Sequence, residues 1–225
     1  MGDWNQYHEP HGNGTIYFED KSICEGSFRN GMLNGIARRI SADGDVYVGQ
    51  WKNNEKSGKG DIVFRFSGNS YAGDWVKDFQ HGYGQEHWPD GSNFSGYYVM
   101  GSKEGQGRFE WADGSTYHGE FTNNQIEGTG TYVWNNGRQY SGQWAENKMH
   151  GQGVFTWSDG RSYDGEYIMD QKEGWGVFVW PDGKQYEGYW KDGKQHGQGT
   201  LKNARGKARV GVWENGQLLK DPNRA

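Results

Sequence analysis

Four histidines invite a test for metal or acid–base chemistry: His11, His81, His150 and His196 each stand immediately before a Gly-x-Gly. Their shared register spreads them over separate copies of a repeated pattern, roughly 10 Å or more apart. That is too far for one metal ion, and His8, His87 and His118 have no cysteine or histidine partner at zinc spacing. Asp164 and Glu166 alternate along one stretch and read as solvated acids of a polar face. No Gly-x-Gly opens a helix or precedes Lys-Ser/Thr, so the glycines do not read as a phosphate cradle. No catalytic, metal or cofactor constellation emerges, and the chain reads as a non-enzyme that uses no cofactor.

The chemistry the residues do offer is aromatic. The chain has 225 residues, of which 32% are hydrophobic and 16% aromatic, with 39 glycines and 12 tryptophans. Disordered chains are poor in rings, so disorder is excluded. The glycines lack a three-residue period, which excludes collagen. In "FVWPDGKQYEGYW", Phe178 to Trp190, rings alternate with glycines, and burial must come mainly from those rings.

Their spacing is regular. Trp88, Trp111, Trp134, Trp157 and Trp180 follow one another at 23 residues, as do Tyr117, Tyr140, Tyr163 and Tyr186. The repeat reads Tyr-x-Gly-x-Trp, six variable residues, Gly-x-Gly, then x-aromatic-x-Trp-x-Asp-Gly, with its clearest copy from Tyr140 to Ser162. Copies start near residues 1, 24, 47, 71, 94, 117, 140, 163 and 186, and a closing half-copy runs from Arg209 to about Leu218. Departures are local: Cys24 and Arg209 replace the first Tyr, Ala37 replaces a Gly, and the copy from Tyr47 is 24 residues long and ends in "FRFSGNS".

This pattern resembles the MORN repeat over essentially the whole chain, as a single array spanning 1–225 with no appended catalytic domain. The resemblance implies an elongated scaffold that binds other proteins or associates with itself, at cytoskeletal, ciliary or membrane-contact structures. Some MORN arrays accompany a lipid kinase, a methyltransferase or an exchange-factor domain, but here repeats fill the chain.

The residues themselves predict an all-β fold. The seventh and eighth positions of each repeat, such as Asn30-Gly31 and Asp192-Gly193, suit a two-residue hairpin turn. Centred there, the turn predicts Tyr186 opposite Gly199, Gly188 opposite Gly197 and Trp190 opposite Gln195. Side chains alternate with period two, so an odd repeat needs one odd loop to keep its rings on one face. "PDG", "ADG" and "SDG" suit a three-residue loop ending in a glycine bulge. With that loop we expect Trp180 opposite Tyr186, Phe178 opposite Gly188 and Gly176 opposite Trp190. The sum is an elongated single-layer antiparallel β-meander of stacked hairpins, about 85 Å long at two strands per repeat, twisted into an open groove.

Rings then cover the bare backbone of neighbouring glycines on one face, while Gln143, Gln152 and Thr156 lie on a solvated face. A single layer has nothing of its own to cover the ring face, so the rings either pack on one another or receive a partner. The candidate groove comprises Trp88, Phe109, Trp111, Tyr132, Trp134, Trp144, Phe155, Trp157, Tyr167, Phe178 and Trp180, with Leu33, Ile126 and Met149 as floor. An amphipathic helical segment of a protein partner suits it. Tyr83 and Trp175 fall on the opposite face and mark a candidate second surface.

Two other readings remain beside this one. Lys202, Arg205, Lys207 and Arg209 form a basic end that can dock on phospholipid, although nine acids against three bases between Tyr71 and Gly137 repel anionic headgroups. Edge strands near residues 1–20 and 209–218 can pair with a second copy to give a homo-oligomer, with Lys220 and Arg224 charging the C-terminal edge. The formal charge of −5 gives no footprint for nucleic acid. The lone Cys24, the absence of a basic-then-apolar leader or a long apolar run, and Gln6 where a myristoylation signal has Ser or Thr predict a cytoplasmic protein.

Overall fold

Twenty strands in chain order, and no helix, make up the described residues, 2–220, of the computed structural model. They fall into two units, Met1–Ala112 and Asp113–Ala225. Within each unit every strand pairs antiparallel with its sequence neighbours, which is a meander. The meanders are open among the described residues: Gly2–Trp4 pairs only with Pro10–Tyr17, and Gln217–Lys220 only with Ala208–Glu214. Arg224 and the side chain of Lys220 lie outside the described residues.

The seventh and eighth residues form the expected two-residue turns. Both take left-handed φ, as at Glu146-Asn147 (51° and 64°) and Met169-Asp170 (48° and 73°), which is the turn whose twist matches paired strands. The eighth residue also ties its turn to the preceding repeat. Asp170 N donates to Met149 O at 2.9 Å, and Met149 N donates to Asp170 Oδ1 at 2.9 Å. Asn147 and Ile126 exchange the same pair of bonds at 3.0 and 2.8 Å.

The other loop is also as expected: Gly183 N donates to Trp180 O at 2.9 Å and Trp180 N to Lys184 O at 2.8 Å, closing Pro181-Asp182-Gly183 with Gly183 at φ 81°. Its register differs from the sequence reading by two. Phe178, not Trp180, faces Tyr186; Gly176, not Phe178, faces Gly188; and Gly174, not Gly176, faces Trp190.

The strands of each hairpin are displaced for a different reason. Trp190 faces Gln195 as expected, but Gly188 faces Gly199 and Tyr186 faces Leu201. The cause is a bulge at the first glycine of Gly-x-Gly. In the clearest copy Gly142 faces Gly153 while Gln143 faces His150, so Gly151 and Gln152 have no opposite residue. Gly151 sits at φ 59°, a conformation that L side chains rarely adopt, and Gln143 Oε1 accepts the freed Gln152 N at 2.8 Å.

That bulge explains the first-position tyrosine that most copies carry. Tyr140 lies flat along its strand over the facing pair Gly142 and Gly153, and its hydroxyl donates to Gln143 O at 2.9 Å, beside the bulge. Tyr117, Tyr163 and Tyr186 do the same toward the residue three positions on, and all four are 0% exposed. The fifth residue reaches the other way: Trp144 Nε1 donates to Gly130 O at 3.1 Å and Trp190 Nε1 to Gly176 O at 3.2 Å. Edge-to-face contacts join the two rows, such as Tyr140 with Trp144 at 5.1 Å and with Tyr167 at 5.3 Å. The core is therefore a layer of rings packed on bare peptide backbone.

Candidate functional site: an aromatic ladder with flanking cations

The sixteenth and eighteenth residues of successive repeats stack into a second set of rings, next to the three-residue loops. In the C-terminal unit Tyr132, Trp134, Phe155, Trp157, Phe178 and Trp180 form one continuous ladder, with neighbouring centroids 4.4 to 5.5 Å apart. The ring planes are tilted by 35° to 58°, so each ring covers part of the next. Trp134, Trp157 and Trp180 remain half-buried, as does Tyr132, whereas Phe155 and Phe178 are buried beneath them.

Trp144 and Tyr167 belong to the packed layer, at 6% and 3% exposure; Trp144 touches the ladder through Tyr132, at 6.1 Å. In the N-terminal unit the ladder is short. Trp88, Phe109 and Trp111 stack at 5.2 and 4.5 Å, but the corresponding sixteenth residues before them are Arg39, Ile62 and Glu86. Glu86 instead holds Lys103 Nζ at 2.8 Å and accepts the Tyr98 hydroxyl at 3.0 Å.

Cations accompany the rings, and the sequence reading did not single them out. Arg138, Arg161 and Lys184 occupy the twenty-second position of three consecutive repeats. Each lies 5.2 to 5.4 Å from the centre of its own repeat's tryptophan, Trp134, Trp157 and Trp180 respectively. Lys172 sits deeper, with Nζ 5.2 to 5.3 Å from the centroids of Trp157, Tyr163, Phe178 and Trp190. Burial, and secondarily the charge of Arg161, lower its pKa from the ordinary lysine value. The signal was legible: Lys172 stands opposite Tyr167, the register that holds Met149 opposite Trp144 one repeat earlier.

On the other face Tyr83 and Trp175 are about half exposed, and each has a ring partner directly across the ladder. Tyr83 meets Tyr97 edge-on at 5.6 Å and Trp175 meets Tyr189 at 5.1 Å. Of the basic end, Lys202 is tied to Glu187 Oε2 at 3.0 Å, Arg209 is half-buried, and Arg205 and Lys207 are exposed around the loop closed by Asn203. Among the described residues no cluster of His, Cys, Asp or Glu could hold a metal ion. No helix there is long and apolar enough to cross a membrane.

Comparison with known proteins agrees with the repeat geometry. The MORN repeat family model matches residues 1–23, 24–46, 47–65, 71–93, 94–116, 117–137, 140–160, 163–185 and 186–207. Alsin from Rattus norvegicus is 32% identical over 81 residues, covering 34% of this chain and 5% of Alsin, and Alsin from Homo sapiens matches equally. The chain thus spans about 5% of the length of these curated relatives. Among solved structures, the TCP10 domain of Danio rerio CPAP in complex with a peptide of Danio rerio STIL superposes with a TM-score of 0.55 at 12% identity, over 98% of this chain and 97% of that one. The same domain without the peptide gives 0.52 at 11% identity, over 92% and 98%. At such identities the likeness is one of fold.

Proposed function

Because the chain belongs to the MORN-repeat family, we propose that it is a non-catalytic scaffold that holds a segment of another protein, an amphipathic helix, along its ring face. The observation that carries this reading is the division of labour between the two ring sets. The first- and fifth-position rings are spent on glycine backbone and hydrogen-bonded carbonyls. The ladder from Tyr132 to Trp180 stacks ring on ring and keeps its tryptophans half open. A half-open apolar strip of this kind suits an amphipathic partner. The Danio rerio CPAP domain, whose fold the chain shares, is solved with a peptide of STIL, which supports a sheet of this kind as a peptide-binding surface. Cytoskeletal or ciliary assemblies are the setting that the family suggests for such a scaffold.

Trp134→Ala combined with Trp157→Ala should lower partner capture at least tenfold in an affinity isolation from source-cell lysate. Lys202→Gln, Arg205→Gln and Lys207→Gln together should leave it within twofold. Circular dichroism and the thermal midpoint establish that both variants are folded. Loss of capture in the charge variant alone would instead favour the phospholipid reading through the basic end.

A further inference from the structure

We propose that the segment received by the C-terminal ladder is acidic, with carboxylates that meet Arg138, Arg161, Lys184 and Lys172. This inference rests on the ladder being a binding surface and adds the charge of what it binds. The first argument is that the fold does not need these cations. At the same register the chain uses Ser22, Ser92 and Ser115, which are buried, and Ser115 Oγ accepts Asn135 N at 3.2 Å. A serine therefore closes this corner of the repeat, yet three consecutive repeats replace it with a cation laid over a tryptophan.

Lys172 gives the second argument. Its register is filled by Ile126 and Met149 in the two preceding repeats, so an apolar residue suffices for packing. Its ammonium instead lies among four rings, and no carboxylate bridges it among the described residues. Ring faces attract a cation but do not neutralise it, and a carboxylate arriving in this partly dry setting gains more than it would in open water. Asp159 already pairs with Arg161 through Nε at 2.8 Å, and the Asp182 carboxylate accepts Lys184 N at 3.0 Å, so two acids offset part of the row. Among the described residues Arg138 is held only by the neutral Asn136 at 3.1 Å, so with Lys172 four cations stand against two acids.

Geometry sets the spacing. Successive cations are two strands apart, about 10 Å. A helix rises about 1.5 Å per residue, so carboxylates every six or seven residues would meet the row, with apolar residues between them on the rings. A single-stranded nucleic acid also pairs anions with rings, but it needs open ring faces for its bases. Here the tilted rings cover one another, which favours a peptide.

The test is selection of a random 16-residue phage-displayed peptide library on the full chain. Parallel selections use Arg138→Ser/Arg161→Ser/Lys184→Ser, which installs the residue the chain already has at this register, Lys172→Met, and Trp134→Ala/Trp157→Ala. We expect peptides that combine Asp or Glu with apolar residues, lost at least tenfold on the triple-serine variant and several-fold on Lys172→Met. Ring-dependent peptides without an acidic excess, retained equally by the serine variant, would overturn the inference and leave the ladder reading intact. Peptides indifferent to the ring variant, or none enriched at all, would overturn both. A fluorescent dT20 oligonucleotide that binds wild type but not the serine variant would overturn it in favour of nucleic acid.

Discussion

Gly153→Val should cost about 3–5 kcal/mol, the scale of removing a buried ring outright, against a total stability of about 5–15 kcal/mol for an ordinary domain. The backbone at Gly153 is ordinary extended strand, so the cost comes from space and not from φ. A Cβ there would lie within 2.5 Å of Cε2 and Cζ of Tyr140, the ring that covers both Gly153 and its cross-strand partner Gly142. Tyr140 is 0% exposed and joined edge-on to Trp144 and Tyr167, so it has nowhere to move without opening both contacts. Its expulsion would also leave the Gln143 carbonyl without its hydroxyl donor. Gln152→Ala, at the exposed residue between the two glycines, should stay within about 0.5 kcal/mol. Urea midpoints of the two variants, followed by tryptophan fluorescence, check the contrast.

The second large effect is alkaline unfolding. Burial raises the pKa of Tyr47, Tyr71, Tyr98, Tyr117, Tyr140, Tyr163 and Tyr167, and takes that of Tyr186 to about 12. An unfolded tyrosine ionises near pH 10. A raised folded pKa means that the folded state binds the proton more tightly, so this contribution is complete below about pH 10 and is lost as pH rises toward the folded values. Three of these groups lie in the N-terminal unit and five in the C-terminal unit, and unfolding of a unit exposes its own set together. The expected result is a cooperative loss of β-sheet circular dichroism between about pH 10 and 12, coincident with the rise of tyrosinate absorbance near 295 nm. Tyrosinate absorbance that completes while the sheet signal is unchanged would contradict the packing described for these rings.

Much of this was legible in the sequence because the repeat multiplies each signal. Asn, Asp and Gly at the eighth position pointed to the left-handed turn, and the odd repeat length required an odd loop at Pro181-Asp182-Gly183. Parity was blind to the bulge at Gly151 and Gln152, since inserting two residues leaves every side chain on its original face. That is why Trp190 met Gln195 as expected while Tyr186 met Leu201 instead of Gly199. The aromatic rows were visible, but their separation into a layer over glycine and a half-open ladder depends on the bulge, which fixes where each ring lies. Tyr97 and Tyr189 stand at the fourth position, which varies from copy to copy, so their pairing with Tyr83 and Trp175 became apparent only from the register.

On the proposed reading the half-open ladder, and not the opposite face, meets the partner. Photo-cross-linking separates the two directly. A benzophenone amino acid replaces Trp157 in one protein and Trp175 in another, both are irradiated in source-cell lysate, and covalent adducts are read by gel and mass spectrometry. The expected result is adducts to a partner protein from position 157 and only background from position 175. Adducts from 175 with none from 157 would place recognition on the other face and reduce the ladder to packing.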